Sequence, residues 1–407
     1  MPAESTVLIV ADGYFDGARH HGRGPYTIAL AGDRIRAVRP GATEGGQGMP
    51  VHRAAYVLPG LVEAHAHLFL DGSELDLDRR SAYLAAPREN MLATGRHSLD
   101  WTLAAGVTLV RDAGDIHGIN VELRREVEAS AAASPRVRCP GVALRKAGRY
   151  GSFMAREVGP QMSIEALMNA IAPAADEFKI LLTGIIDFDG GSVKGAPQFN
   201  AEEASRIGRC ARALGRRTFA HCSGADGIDI ALDAGFDSIE HGFFVTSAQL
   251  RRMAESGVAW VPTFSPVYFQ WAQPQIVGWS AQAVGHMRRI LDEHSQRLNE
   301  AYALGVPVMA GSDAGSHGVP HGLGLIDELV RMADAGVATE RLLASATTLP
   351  RTAWGCEPVT INPGSKAELV LLQSTPMDGL HALRDVSAVY LGGRLYTKVR
   401  PSVPATS

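Results

Sequence analysis

The feature that most limits how this chain can fold is an alternation of apolar, strand-like runs with helix-period stretches across about 300 residues of its middle. The candidate strands read GLVEAHAH, VTLVRDAG, RVRCPGVAL, EFKILLTG, RRTFAHCSG, SIEHGFF, WVPTFSP and VPVMAGSDAG. Runs this continuously apolar suit strands buried on both faces of a parallel sheet. Between them lie stretches such as NAEEASRIGRCARALG and TSAQLRRMAESG, which open on a polar cap and close on glycine. The junctions Ala105-Gly106-Val107, Ser256-Gly257-Val258 and Leu304-Gly305-Val306 read as helix C-caps turning into the next buried strand. Eight such units predict an α/β chain folded as a (β/α)8 TIM barrel. An open doubly wound sheet lacks support, because no G-x-G-x-x-G follows the first strand.

The two ends have a different texture. TVLIVADGYF, PYTIALAGDRIRAV and AAYVLPG near the start, and KAELVLLQS and SAVYLGGRLYTKV near the end, are short β-formers separated by turns. The expectation is a small β-sandwich domain built from residues 1–57 and 358–407, with the barrel over residues 58–357.

Composition narrows the function classes. A formal net charge of −4 offers no basic face for nucleic acid. Apolar runs stay far below the roughly 18 residues of a membrane span, so no membrane partner is expected. The first residues carry Glu4 and Asp12 without a basic n-region, and Cys139, Cys210, Cys222 and Cys356 form no C-x-x-C pair. Both features fit a reducing, cytoplasmic setting.

Chemistry concentrates at the C-terminal strand ends, where barrel enzymes build active sites. His65 and His67 end the first strand two residues apart, so they share a face and can grip one metal ion. An H-x-H pair alone is weak evidence, since it more often describes two polar histidines at a strand end. Four further strands alter that balance. Lys179 lies among apolar neighbours in EFKILLTG, where an ammonium is costly. His221 ends TFAHCSG, His241 ends SIEHGFF and Asp313 ends MAGSDAG. Glu240 is expected to point away from its neighbour His241 and to be structural.

LPGLVEAHAH, FKILLTG, AHCSG, SIEHG and AGSDAG, with the split β-layer, resemble the amidohydrolase superfamily, in particular its imidazolonepropionase-like and prolidase-like branch. The resemblance implies a binuclear centre in which His65, His67 and Asp313 hold one divalent metal and His221 and His241 the other. It further implies that Lys179 is N6-carboxylated and bridges the two ions together with a hydroxide, and that Asp313 shuttles protons. Zinc is the expected metal, and manganese, cobalt or iron would accept the same ligands. The implied reaction is hydrolysis of an amide bond in a peptide, N-acyl amino acid or cyclic amide.

The branch often carries Gly-Gly-His-Gly after strand three. Here the stretch reads LRKAGRYGSF, with Tyr150 in place of the histidine. Arg145, Tyr150, Tyr268, His317 and His321 are the candidate contacts to a small-molecule substrate. Two other enzymatic readings share the fold. One is a mononuclear deaminase or lactam hydrolase using His65, His67, His221 and Asp313, for which Lys179 has no use. The other is an ester or organophosphate hydrolase on the same centre. A non-catalytic scaffold would not need the full ligand set. A homo-oligomer is expected by resemblance.

Overall fold

The computed structural model describes residues 6–46, 48–159 and 161–397. Strands from both ends of the chain join one eight-stranded sheet, ordered Arg394–Thr397, Val386–Leu391, Leu369–Leu372, Val51–Pro59, Thr6–Phe15, Tyr26–Ala31 and Arg34–Pro40, with His20–His21 beside Thr6–Phe15. The sheet curls until its margins meet. Ile35 N donates to Ser365 O at 2.9 Å, and the Tyr390 hydroxyl donates to Gly32 O at 2.8 Å. Ile28, Leu30 and Ile35 from one margin thereby share a core with Leu369, Ala388 and Tyr390 from the other. Residues 1–5 and 398–407 of this expected layer lie outside the described residues.

Val51–Pro59 passes through Gly60 directly into the first barrel strand, Leu61–Ala66. A side chain at Gly60 would press within 2.2 Å of Thr108 Oγ1, so only glycine allows this approach. Around the barrel follow Val107–Asp112, Arg136–Arg138 continued by Ala143–Lys146, Glu177–Leu181, Arg217–Cys222, Ser238–His241 and Ala259–Val261, paired in parallel. The eighth position is filled by the chain from Pro307 to Ala314. Its bonds run from Met309 N to Trp260 O (2.8 Å) on one side, and on the other from Ala64 N to Ala310 O (3.0 Å) and from Asp313 N to His65 O (2.8 Å). These contacts close the ring.

Three expected strands are less regular than their sequences suggest. The third is interrupted at Pro140, which has no N–H to donate, and at Gly141, whose φ is 69°. The seventh stops at Val261, because Pro262 follows and Thr263 is left-handed; the helix Phe264–Ala272 starts immediately. The eighth makes isolated bridges only, at Val308 and Ala314.

The helices follow their capping chemistry. Asn200 with Glu203 and Thr246 with Gln249 form reciprocal capping boxes on Ala201–Ala213 and Ser247–Ser256. The longest helix, Ala281–Leu304, buries His294 against the barrel. Among the described residues no helix is long and apolar enough to cross a membrane.

Candidate metal centre and active site

The inside of this barrel carries ionic groups. Glu63, Arg111, Glu177, Lys179 and Glu240 are each at most 3% exposed. Such burial is sustained only where each charge is paired or neutralised.

At the C-terminal strand ends, His65, His67, Lys179, His221, His241 and Asp313 line one cavity of about 290 Å³. One ligand atom each from His65, His67 and Asp313 lies within 4.8 Å of the others. Asp313 Oδ1 stands 3.4 Å from His67 Nε2 and 3.7 Å from His65 Nε2. Lys179 Nζ is 3.4 Å from His65 Nε2. The rings of His221 and His241 are 4.6 Å apart, and His241 is 5.1 Å from His65.

The imidazoles are oriented from behind. His65 Nδ1 meets Glu240 Oε2 at 2.5 Å, His241 Nδ1 meets Thr263 Oγ1 at 2.7 Å, and His221 Nε2 lies 3.3 Å from Gly184 O. Each contact commits one ring nitrogen and leaves the other. Burial pushes His67 and His221 down to about 3, and His65 and His241 well below the ordinary histidine value. All four imidazoles are therefore neutral near pH 7, the form that ligates a metal. Burial also lowers the Lys179 ammonium and raises the Asp313 carboxyl. His241 Nε2 and Asp313 Oδ1 are buried and find no hydrogen-bond partner among the described residues. An orphaned buried polar atom costs about 1–3 kcal/mol, and two in one cavity are what a metal ion would satisfy.

His241 (φ 70°), Thr263 (φ 50°) and Asp313 (φ 57°) are the only non-glycine residues with positive φ among the described residues. Each such conformation costs on the order of 1–3 kcal/mol. All three line this cavity.

Strict alternation along Ser238–His241 sends Glu240 and His241 to opposite faces, and this expectation is corrected. Ser238 and Glu240 do face inward, where both meet Arg111. The left-handed turn at His241 then swings its ring back over the same barrel axis, so the two residues serve one site.

The candidate substrate contacts separate into two groups. Tyr150 and His317 line the cavity, and the Tyr150 ring is 5.4 Å from His221. Burial raises the Tyr150 hydroxyl, so it remains protonated. The others lie elsewhere. Arg145 donates to Ala155 O (3.3 Å) and Arg149 O (2.6 Å) and pairs with Glu157 at 2.6 Å. Tyr268 sits beneath Arg331, 3.6 Å from its ring centre, in a neighbouring crevice. His321 bonds Leu70 O at 2.9 Å and faces an adjacent cavity with Asp71, His97 and Trp101.

Two contributors were not anticipated. Glu240 is one. The other is Arg80, which reaches the cavity wall from the short helix Leu77–Tyr83 after strand one. Its Nη1 donates to Asp71 O at 2.5 Å and Glu74 O at 3.3 Å, and its Nη2 to Gly315 O at 2.9 Å. Of its five N–H donors, Nε–H and one on Nη2 are left.

The profile of the Amidohydrolase family matches residues 56–396. An uncharacterised protein of Mycobacterium tuberculosis is 27% identical over 350 residues, covering 85% of this chain and 86% of that protein. Ochratoxinase of Aspergillus niger is 24% identical over 378 residues, covering 85% of this chain and 76% of its own. Among solved structures, a Xaa-Pro dipeptidase with methionine bound in its active site superposes with a TM-score of 0.82 at 25% identity, over 97% of this chain and 100% of that one.

Proposed function

Because the chain belongs to the Amidohydrolase family, we propose that this cavity hydrolyses the carbon–nitrogen bond of an amide using two divalent metal ions, zinc by first choice. The observation that carries the reading is the convergence of four neutral imidazoles, Lys179 and Asp313 on one cavity, with His241 Nε2 and Asp313 Oδ1 unpartnered. His65, His67 and Asp313 would hold one ion, and His221 and His241 the other. Lys179, already disposed by burial to lose its proton, would join them as an N6-carbamate. Bound there, such ions supply Lewis acidity and an acidified water.

The chain's own residues account for the rest of the chemistry. Asp313 Oδ1, free of hydrogen bonds, takes a proton as water adds to the carbonyl carbon, and returns it to the departing nitrogen. The Tyr150 hydroxyl faces the same space as a donor. Phe153, Met154, Ile186, Phe188, Phe243 and Val267 form an apolar wall that excludes water from the reacting bond. The free donors of Arg80 suit a carboxylate. Apolar wall and cation together favour a peptide or N-acyl amino acid over a cyclic amide. The Xaa-Pro dipeptidase, by its name a hydrolase of dipeptides, supports the same choice.

A mononuclear deaminase or lactam hydrolase would leave Lys179 without a task, and its place in the cavity favours the binuclear reading. An ester or organophosphate could be hydrolysed by the same groups. Protein prepared without chelator should contain close to two metals per chain; full activity with one would overturn the binuclear reading. Dipeptides, N-acyl amino acids, lactams and esters tested side by side would identify the substrate class.

A further inference from the structure

We propose that Glu240, held by Arg111, is a positioning residue that fixes the tautomer and aim of His65. The inference rests on the metal reading of the cavity but concerns residues beneath it. Glu240 Oε2 accepts from His65 Nδ1 at 2.5 Å and from Arg111 Nη2 at 2.9 Å. Its Oε1 accepts from the same Nη2 at 2.8 Å and from Ser238 Oγ at 2.7 Å. Arg111 is itself anchored, with Nε donating to Ala64 O at 2.7 Å and its guanidinium 4.3 Å from the centre of the Phe219 ring. Ala64 is the residue before His65, so the same arginine braces the strand that carries the histidine.

Stability alone does not explain this arrangement. Burying two charges carries a desolvation penalty that their attraction often fails to offset, and apolar residues of similar volume commonly do as well or better. The pair does have a consequence for His65. A carboxylate at Nδ1 keeps the proton there, leaves the Nε2 lone pair toward the cavity and makes it a stronger donor to a metal. Arg111 supplies the opposite charge that a carboxylate buried at this depth must be paired with. Arg111 also lines a second cavity of about 500 Å³ at the N-terminal ends of the strands, beside Asp237 and Trp354. Truncating Arg111, itself 1% exposed, would open its place toward this cavity, on the face opposite the active site.

The test is metal affinity of the chelator-stripped protein. Zn2+ binding is measured by competition with a chromophoric chelator, alongside thermal unfolding of the stripped protein. Glu240→Gln should weaken binding about 10–100-fold in stripped protein that still unfolds cooperatively, at a Tm lowered by the loss of the partner of buried Arg111. Unchanged affinity would overturn the proposal. If that variant does not fold, Arg111→Ala is read instead. Recovery of Zn2+ affinity on adding methylguanidinium, which can enter through the lower cavity, supports positioning, and no recovery overturns it. Wild-type protein that binds no metal in this assay would remove the metal reading itself, an outcome distinct from wild type and Glu240→Gln binding alike.

Discussion

His294 offers a clean electrostatic test of how the wall of the site is built. It is fully buried in the helix Ala281–Leu304, stacked 4.3 Å from Phe243, with Phe264 tilted at 4.5 Å and Trp260 edge-on at 5.1 Å. Its Nε2–H donates to Pro262 O at 3.0 Å, and Nδ1 has no partner among the described residues. Pro262 precedes Thr263, whose hydroxyl holds His241, so this buried ring supports the backbone behind a proposed metal ligand. Burial pushes His294 from 6.5 down to about 3. The sign follows from linkage. Above pH 6.5 the residue is neutral in both states and stability is unaffected. As pH falls through 6.5 toward 3, the unfolded chain takes up a proton that the folded chain refuses, and stability is lost. At about pH 5 the separation is about 1.5 pH units, or about 2 kcal/mol at 1.36 kcal/mol per unit. His294→Gln removes the titration and keeps a donor. Urea unfolding of chelator-stripped protein, followed by tryptophan fluorescence, should show the variant less stable at about pH 7.5, by the lost packing. The difference should move by about 2 kcal/mol in the variant's favour at about pH 5. All other titrating groups are common to both proteins and cancel. A difference that is the same at both pH values would refute the argument.

Three further outcomes bear on the site itself. Lys179→Ala should abolish turnover and lower metal content, with partial rescue by short carboxylic acids; full activity without them would exclude the carbamate. Asp313→Asn should leave the stripped protein folded while turnover falls about 10²–10⁴-fold, and unchanged turnover would end its role as proton carrier. Arg80→Met should raise KM about 10–100-fold for substrates with a free carboxylate, as expected for loss of a charge-assisted hydrogen bond. It should leave KM unchanged for the matching neutral amides, and an equal effect on both would show that Arg80 only ties the loops together.

How much of this was legible in the sequence depends on the range of the forces involved. The barrel was legible because strands buried on both faces must be apolar along their length, and glycine-capped helices separate them. His65, His67, Lys179 and His221 were legible because imidazole and ammonium groups inside such runs are costly without a task. Long side chains whose partners lie elsewhere in the chain were harder to read. Arg80 reaches the cavity by bonding Gly315, far along the chain, and Arg145 turns instead to Glu157; no local pattern encodes either. The third strand breaks for an ordinary reason, Pro140 followed by Gly141, but three other departures from pattern share one cause. Alternation fails at His241, the seventh strand stops short of Thr263, and the eighth does not run straight through Asp313. Those are the positions where the backbone turns left-handed without glycine. Sequence periodicity assumes relaxed backbone, so it fails where the fold holds strain. Here that strain aims His241, supplies the Thr263 hydroxyl that orients it, and points Asp313 at His67. These three departures fall where the proposed chemistry occurs, as expected when a fold gives up its own regularity to build a site.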